Sequence, residues 1–238
     1  MTENSNHSAL RSRNPVDSIA NRSDTDAYLA SIRWKRQSVA STGRLIFALD
    51  ATASRQPTWE LACQLQAQMF EEVRTIGGLS VQLVYYRGLH ECRASKWISR
   101  PDHLLGLMEK IDCQMGHTQI GKILTHTQRE TKLLKVSALT FVGDAMEENP
   151  DALAYEAGEL GRLGVPVFMF QEGNNREVEQ TFREIARLTR GAYSRFDSGA
   201  ARQLAELLKA VAVFATGGLT ALANRSDAGA VKLLSQLR

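Results

Sequence analysis

Short, continuously apolar runs alternate along the chain with longer stretches in which apolar residues return every three or four positions. Leu45 to Leu49, Val81 to Tyr86, Val136 to Val142, Val165 to Phe170 and Gly191 to Phe196 make up the first set. Runs this short, apolar at nearly every position, suit strands buried on both faces of a parallel sheet better than strands with one wet face. Ala94 to Ile98 reads as a further, short edge strand. The second set predicts helices. Pro57 opens one that carries Trp59, Ala62, Cys63, Gln66, Met69, Phe70 and Val73 and ends at Gly77-Gly78. Pro101 opens a small one with Leu104, Leu105, Leu107 and Met108, and Ile120, Ile123, Leu124, Thr127 and Leu134 share a face of the next. Asn149-Pro150 supplies a cap and a first-turn proline for a helix running to about Gly164. Glu177 to Arg190 follows, and Leu204, Leu207, Leu208 and Val211 mark the last domain helix. Strands alternating with helices at these spacings imply an α/β domain with a mainly parallel, Rossmann-like sheet and helices on both faces.

The pattern fades at both ends. Residues 1–40 are rich in Asn, Ser, Arg and Asp, too polar to offset the cost of ordering, and read as a flexible extension. Within it Trp34, flanked by Arg33, Lys35 and Arg36, reads as an apolar anchor with solvated charges around it rather than as a basic docking site. Residues 41–217 form the domain. Residues 218–238, ending in Val231 to Leu237, form a short helical tail able to fold back on the domain or cap a partner. A chain of 238 residues with 43% hydrophobic content can bury one sizeable core.

Charge and cysteine usage narrow the class. A formal charge of +3 is far from the concentrated basicity of a nucleic-acid binder. Three cysteines, Cys63, Cys92 and Cys113, with no C-x-x-C pair, argue against a disulfide framework and for a reducing compartment. The N-terminus lacks the apolar core of a secretory signal. The longest weakly apolar stretch, Ala210 to Ala223, holds Thr216, Gly217 and Gly218 and falls short of the about 20 residues that span a bilayer. The expectation is a cytoplasmic protein without a membrane span.

The chemistry concentrates where apolar strands end. In R-L-I-F-A-L-D-A-T-A-S, Arg44 to Ser54, the strand gives way to Asp50, Thr52 and Ser54 at alternate positions. Thr118 follows Gly116-His117, and Asp144 ends the strand Val136 to Val142 after Gly143. Open α/β sheets bind ligands at the carboxyl ends of their strands, so these oxygens converge where a ligand belongs. In this order and context the segments resemble the von Willebrand factor type A (VWA) family, intracellular and of prokaryotic type, over Arg44 to about Thr216. D-A-T-A-S is similar to that family's D-x-S-x-S, with Thr52 in place of the commoner Ser. G-H-T-Q-I-G-K-I-L is similar to its G-G-T-x-x-G, F-V-G-D-A-M-E-E-N to the strand ending in its third-motif Asp, and T-R-G-A-Y at Thr189 to Tyr193 to its late Thr-Gly-Gly-x-Tyr.

The resemblance implies a metal-ion-dependent adhesion site. Thr52, Ser54 and Thr118 would be hydroxyl ligands, direct or nearly so, with Asp50 and Asp144 acting through coordinated water. Mg²⁺ is the expected cation, with Mn²⁺ or Ca²⁺ as alternatives, since hard cations take oxygen ligands. Neutral inner ligands leave the cation underneutralised, so an Asp or Glu from a protein partner can complete its shell. The family's intracellular members often work in multiprotein assemblies, sometimes beside ATPases. The expected function is therefore a binding module without turnover. Its alternatives are a phosphatase-like enzyme using Asp50, which would want a second acid where Thr52 stands, and a metal-independent scaffold.

Other motifs weigh less. Gly116 to Lys122 matches G-x-x-x-x-G-K, but Ile123 stands where a phosphate-binding loop needs Ser or Thr, and the preceding segment, Leu104 to Met115, looks helical. His90, Cys92, Cys113 and His117 form no second matched pair for a soft metal. Glu147 and Glu148 read as a solvated turn, or as an aid to cation capture that would also repel an acidic partner.

Overall fold

The computed structural model describes residues 43–59, 78–197 and 201–237. The expectations for residues 1–40 and for most of the helix after Pro57 lie outside the described residues. Among these residues six strands form one sheet in the order β3-β2-β1-β4-β5-β6. They are β1 (Gly43–Asp50), β2 (Leu79–Arg87), β3 (Glu91–Ala94), β4 (Ala138–Gly143), β5 (Val167–Glu172) and β6 (Ala192–Phe196). All neighbours are parallel except β2 and β3. The fold is α/β, as the strand and helix periods predict.

β1 is buried at all eight positions. Leu45, Phe47 and Leu49 enter one core, and Ile46 and Ala48 the opposite one. The first core holds residues of α1 (Pro101–Met108), α5 (Ala201–Ala223) and α6 (Ala228–Leu234); the second holds residues of α2 (Ile120–Leu133), α3 (Pro150–Arg162) and α4 (Arg176–Thr189). A strand with apolar neighbours above and below has no wet face, which is why its sequence does not alternate. Asn149 and Asn175 cap α3 and α4, each accepting two backbone N–H groups.

Three details depart from the sequence reading. The edge strand is Glu91–Ala94, antiparallel to β2; of the stretch Ala94 to Ile98, Ile98 only bridges Val81. Ser95 explains the break, because its Oγ takes the Leu83 N–H that a strand carbonyl would have taken. Leu134 lies beyond α2 in extended conformation and is 48% exposed, so it does not share the buried face of Ile120 to Thr127. The last domain helix is also longer than its apolar marks. The piece Arg202–Ala223 is long and apolar enough to cross a membrane by length and composition, whereas Ala210 to Ala223 was too short. Here Leu204, Leu207, Leu208, Val211 and Ala215 are buried in the first core. At Gly218 (φ 64°, ψ −160°) the helical path is broken.

Residues 218–237 belong to the same compact unit as the domain, Ser41–Arg238. Ala230 and Leu233 of α6 are fully buried against α5, where Gly229 lies so close to Glu206 that a Cβ would come 2.3 Å from its carbonyl oxygen. Gln236 Oε1 then accepts the Tyr193 N–H at 2.9 Å, on the outer side of β6. The chain's end thus covers part of a strand edge that would otherwise be open.

Candidate metal centre

Strand order reverses between β1 and β4, since the chain leaves β1 for β2 on one side and later adds β4 on the other. Crevices of this kind, outside the carboxyl ends of the strands, are where open α/β sheets bind ligands. β1 ends there in Asp50 and β4 runs into Asp144. Gly143 permits their approach: a Cβ on it would meet the Phe141 ring at 2.8 Å and the Asp50 Cβ at 3.3 Å.

Four of the five expected site residues are joined by a continuous chain of polar contacts. The Thr52 N–H donates to Asp50 Oδ1 at 2.8 Å. Thr52 Oγ1 and Ser54 Oγ lie 3.1 Å apart, and Ser54 Oγ donates to Asp144 Oδ1 at 3.1 Å. Thr118 is placed differently. Its Oγ1 accepts the Glu147 N–H at 2.9 Å, and its own N–H donates to Glu147 Oε2 at 3.2 Å. It nevertheless lines the same cavity as Thr52 and Ser54, about 630 Å³ in volume. Leu89 and Met115, 60% and 84% exposed, line it too.

Backbone contacts hold the Thr118 loop against β1 and the β2–β3 turn. Gln114 N–H donates to the Ala51 carbonyl at 3.0 Å and His117 N–H to the Gly88 carbonyl at 3.2 Å. A Cβ on Gly116 would fall 2.0 Å from the Gly88 oxygen, so the G-H-T segment needs its glycine for this close approach. Glu147 and Glu148 are more than a solvated turn. Glu148 accepts the Ile120 and Gly121 N–H groups at 2.6 and 2.8 Å, capping α2 from another loop. Gln119, at the N-cap position, supplies no side-chain cap of its own. That missing cap is the signal in the sequence that an acid from elsewhere is required.

The same carboxylate occupies the backbone donors that a phosphate-binding reading of Gly116 to Lys122 would need. The Lys122 ammonium is turned away, donating to Gln119 Oε1 at 2.7 Å and to the His90 carbonyl at 3.2 Å.

Electrostatics set Asp50 apart. Its carboxyl is pushed up from 3.8 to about 6, chiefly by burial and further by the charge of Asp144, against hydrogen bonding from Thr52. Its Oδ2 has no hydrogen-bond partner among the described residues. Tyr86, fully buried, is held well above the ordinary phenol value by burial and by the Asp50 charge. Arg55, which the motif reading passed over, follows Ser54 directly, is buried and is paired with Glu172. Burial lowers its pKa, and Asp144 and Asp50 oppose that shift.

A buried carboxylate oxygen that makes no hydrogen bond of ordinary length, beside three hydroxyls and a second carboxylate, makes an oxygen-rich donor set. It fits a hard divalent cation. Among the described residues no group of three or more His, Cys, Asp or Glu side chains is arranged to hold a metal, so His90, Cys92, Cys113 and His117 are not gathered into a soft-metal site.

No protein-family model and no curated protein matches the sequence; the likeness to known proteins is one of structure. A von Willebrand factor type A protein from Catenulispora acidiphila superposes with a TM-score of 0.60 at 14% identity, over 74% of this chain and 43% of that one. The SpRpn10 VWA domain gives 0.56 at 11% identity, over 68% and 95%. Proximal thread matrix protein 1 from the mussel byssus, with a zinc-occupied MIDAS motif, gives 0.56 at 16% identity, over 72% and 46%. The chain thus spans under half the length of the first and third of these. The fold is that of a VWA domain.

Proposed function

We propose that the chain is a divalent-cation-dependent protein-binding module. The observation that carries this reading is the chain Asp50–Thr52–Ser54–Asp144 at the sheet's switch point, with one Asp50 oxygen buried and unpartnered. Thr52, Ser54 and Thr118 would hold the cation, Mg²⁺ first and Mn²⁺ or Ca²⁺ as alternatives, with Asp50 and Asp144 as outer carboxylates. When bound, the cation supplies an electrophilic position that a partner's Asp or Glu can fill. Ser54 and Thr52 are kept in place for this by Asp144 and Asp50, and Thr118 by Glu147. Leu89 and Met115 flank the cavity and give a partner apolar surface beside its acid. A binding role without turnover suits Asp50 better than nucleophilic chemistry, because the carboxylate is fully buried and Thr52 stands where a phosphatase wants an acid. The module acts in the cytoplasm, within a multiprotein assembly that can include an ATPase.

The test is thermal unfolding with Mg²⁺ or Mn²⁺ against chelator. A ligand bound only by the native state raises the melting temperature by mass action. Wild type should show that rise, and Asp50→Ala and Asp144→Ala should abolish it. Absence of calorimetric binding by wild type at about millimolar metal, where mass action makes even weak sites visible, defeats the reading.

A further inference from the structure

The residue that follows the two hydroxyls in sequence is charged, and it is not at the surface. Arg55 closes the short helical turn Ala53–Arg55. Its N–H donates to the Thr52 carbonyl at 3.0 Å, and its side chain is 1% exposed. The guanidinium pairs with Glu172, the last residue of β5, whose carboxylate also accepts from Thr58 Oγ1 at 3.0 Å. β5 lies beside β4 with Gln171 opposite Gly143, so Glu172 stands next to the point where Asp144 leaves the sheet. A permanent positive charge is therefore buried one residue after Ser54, paired with Glu172 beside the point where Asp144 leaves the sheet. Arginine cannot discard that charge by losing a proton.

We propose that Arg55 is a fixed counter-charge that sets how tightly the cluster of Asp50, Thr52, Ser54, Thr118 and Asp144 holds a divalent cation. The inference rests on the cation reading given above. Arg55 repels an incoming cation, and Glu172 offsets part of that repulsion. The balance keeps affinity below what Asp50 and Asp144 alone would give, so firm loading needs a further carboxylate from outside. Away from bulk water, a unit charge acting on a divalent ion over several Å changes affinity by about tenfold or more.

The two partners must then act in opposite directions on binding while acting in the same direction on stability. Removing either one leaves a buried charge unpaired and should lower the melting temperature in chelator. Calorimetric Mg²⁺ titration of the full chain separates the two effects. Arg55→Met should tighten Mg²⁺ by about tenfold or more and Glu172→Gln should weaken it by a similar factor. The double variant should return toward wild type, and Arg55→Lys, which keeps the charge, should bind as wild type does. The inference is overturned if Arg55→Met and Glu172→Gln shift affinity the same way, or if wild type binds and Arg55→Met binds equally well. Should Arg55→Met fail to fold, unchanged affinity in Glu172→Gln overturns it by itself. If wild type does not bind Mg²⁺, the cation reading falls and this inference with it, whatever the variants do.

Discussion

Burial raises the Asp50 carboxyl from 3.8 to about 6, and the sign of that shift fixes a stability signature. A carboxyl whose folded pKa exceeds its unfolded value favours the fold while protonated. The contribution is complete below 3.8 and is lost as pH rises through about 6. The charged form therefore costs the metal-free protein on the order of 3 kcal/mol at neutral pH. Asp50→Asn should remove that cost: in chelator the variant should be the more stable protein at about pH 7.5 and lose its advantage near pH 4.5. Urea unfolding at both pH values checks this, and equal stability of the two proteins at the higher pH contradicts it. On the proposed reading the same substitution should abolish stabilisation by Mg²⁺. At this scale the sequence was informative about the oxygens and silent about their surroundings. The spacing of Asp50, Thr52 and Ser54 is local, whereas the burial of Arg55 and its pairing with Glu172 depend on two strands meeting far apart in sequence.

The loops at the site are held as a set by elements that do not touch the expected ligands. Glu148 caps α2 with two charge-assisted hydrogen bonds, and caps of this kind contribute ~1 kcal/mol or more. Glu148→Gln should lower unfolding free energy by about that amount and weaken Mg²⁺ binding, because Thr118 precedes the capped turn. Chemical denaturation and calorimetry read the two effects; full stability in the variant would mean the cap contributes nothing. Gly116→Ala should do more damage, since its Cβ has no space beside Gly88. The periods of apolar residues made β1, β2, β4, β5 and β6 and the helices α2, α3 and α4 legible, because each buries a regular face. They misplaced the short edge strand and Leu134, where one Ser95 side chain and one loop exit decide the path. A residue such as Glu148, exposed by composition yet committed to a helix in another segment, leaves no periodic trace.

Across the whole molecule, the sheet places the site and the C-terminal helices complete the core beneath it. Leu233 is fully buried, so Leu233→Ala should cost about 2–5 kcal/mol, as deletions of buried side chains do. Removal of residues 218–238 should be worse, exposing apolar surface of α5 and the outer edge of β6. Thermal melts and light scattering test this; a truncated chain that melts like wild type and scatters no more light than it does would show residues 218–238 to be a separable tail, as the sequence alone allowed. That region was hard to read because its apolar residues are few, and they acquire meaning only against α5. The joint between Glu148 and the start of α2 also offers a built-in sensor. The amides of Ile120 and Gly121 point at a carboxylate 28 and 27 residues further along the chain, so their NMR shifts and exchange rates register the distance between two loops. Any event that moves the Asp144 loop will be written in those two resonances, even when neither residue touches what is bound.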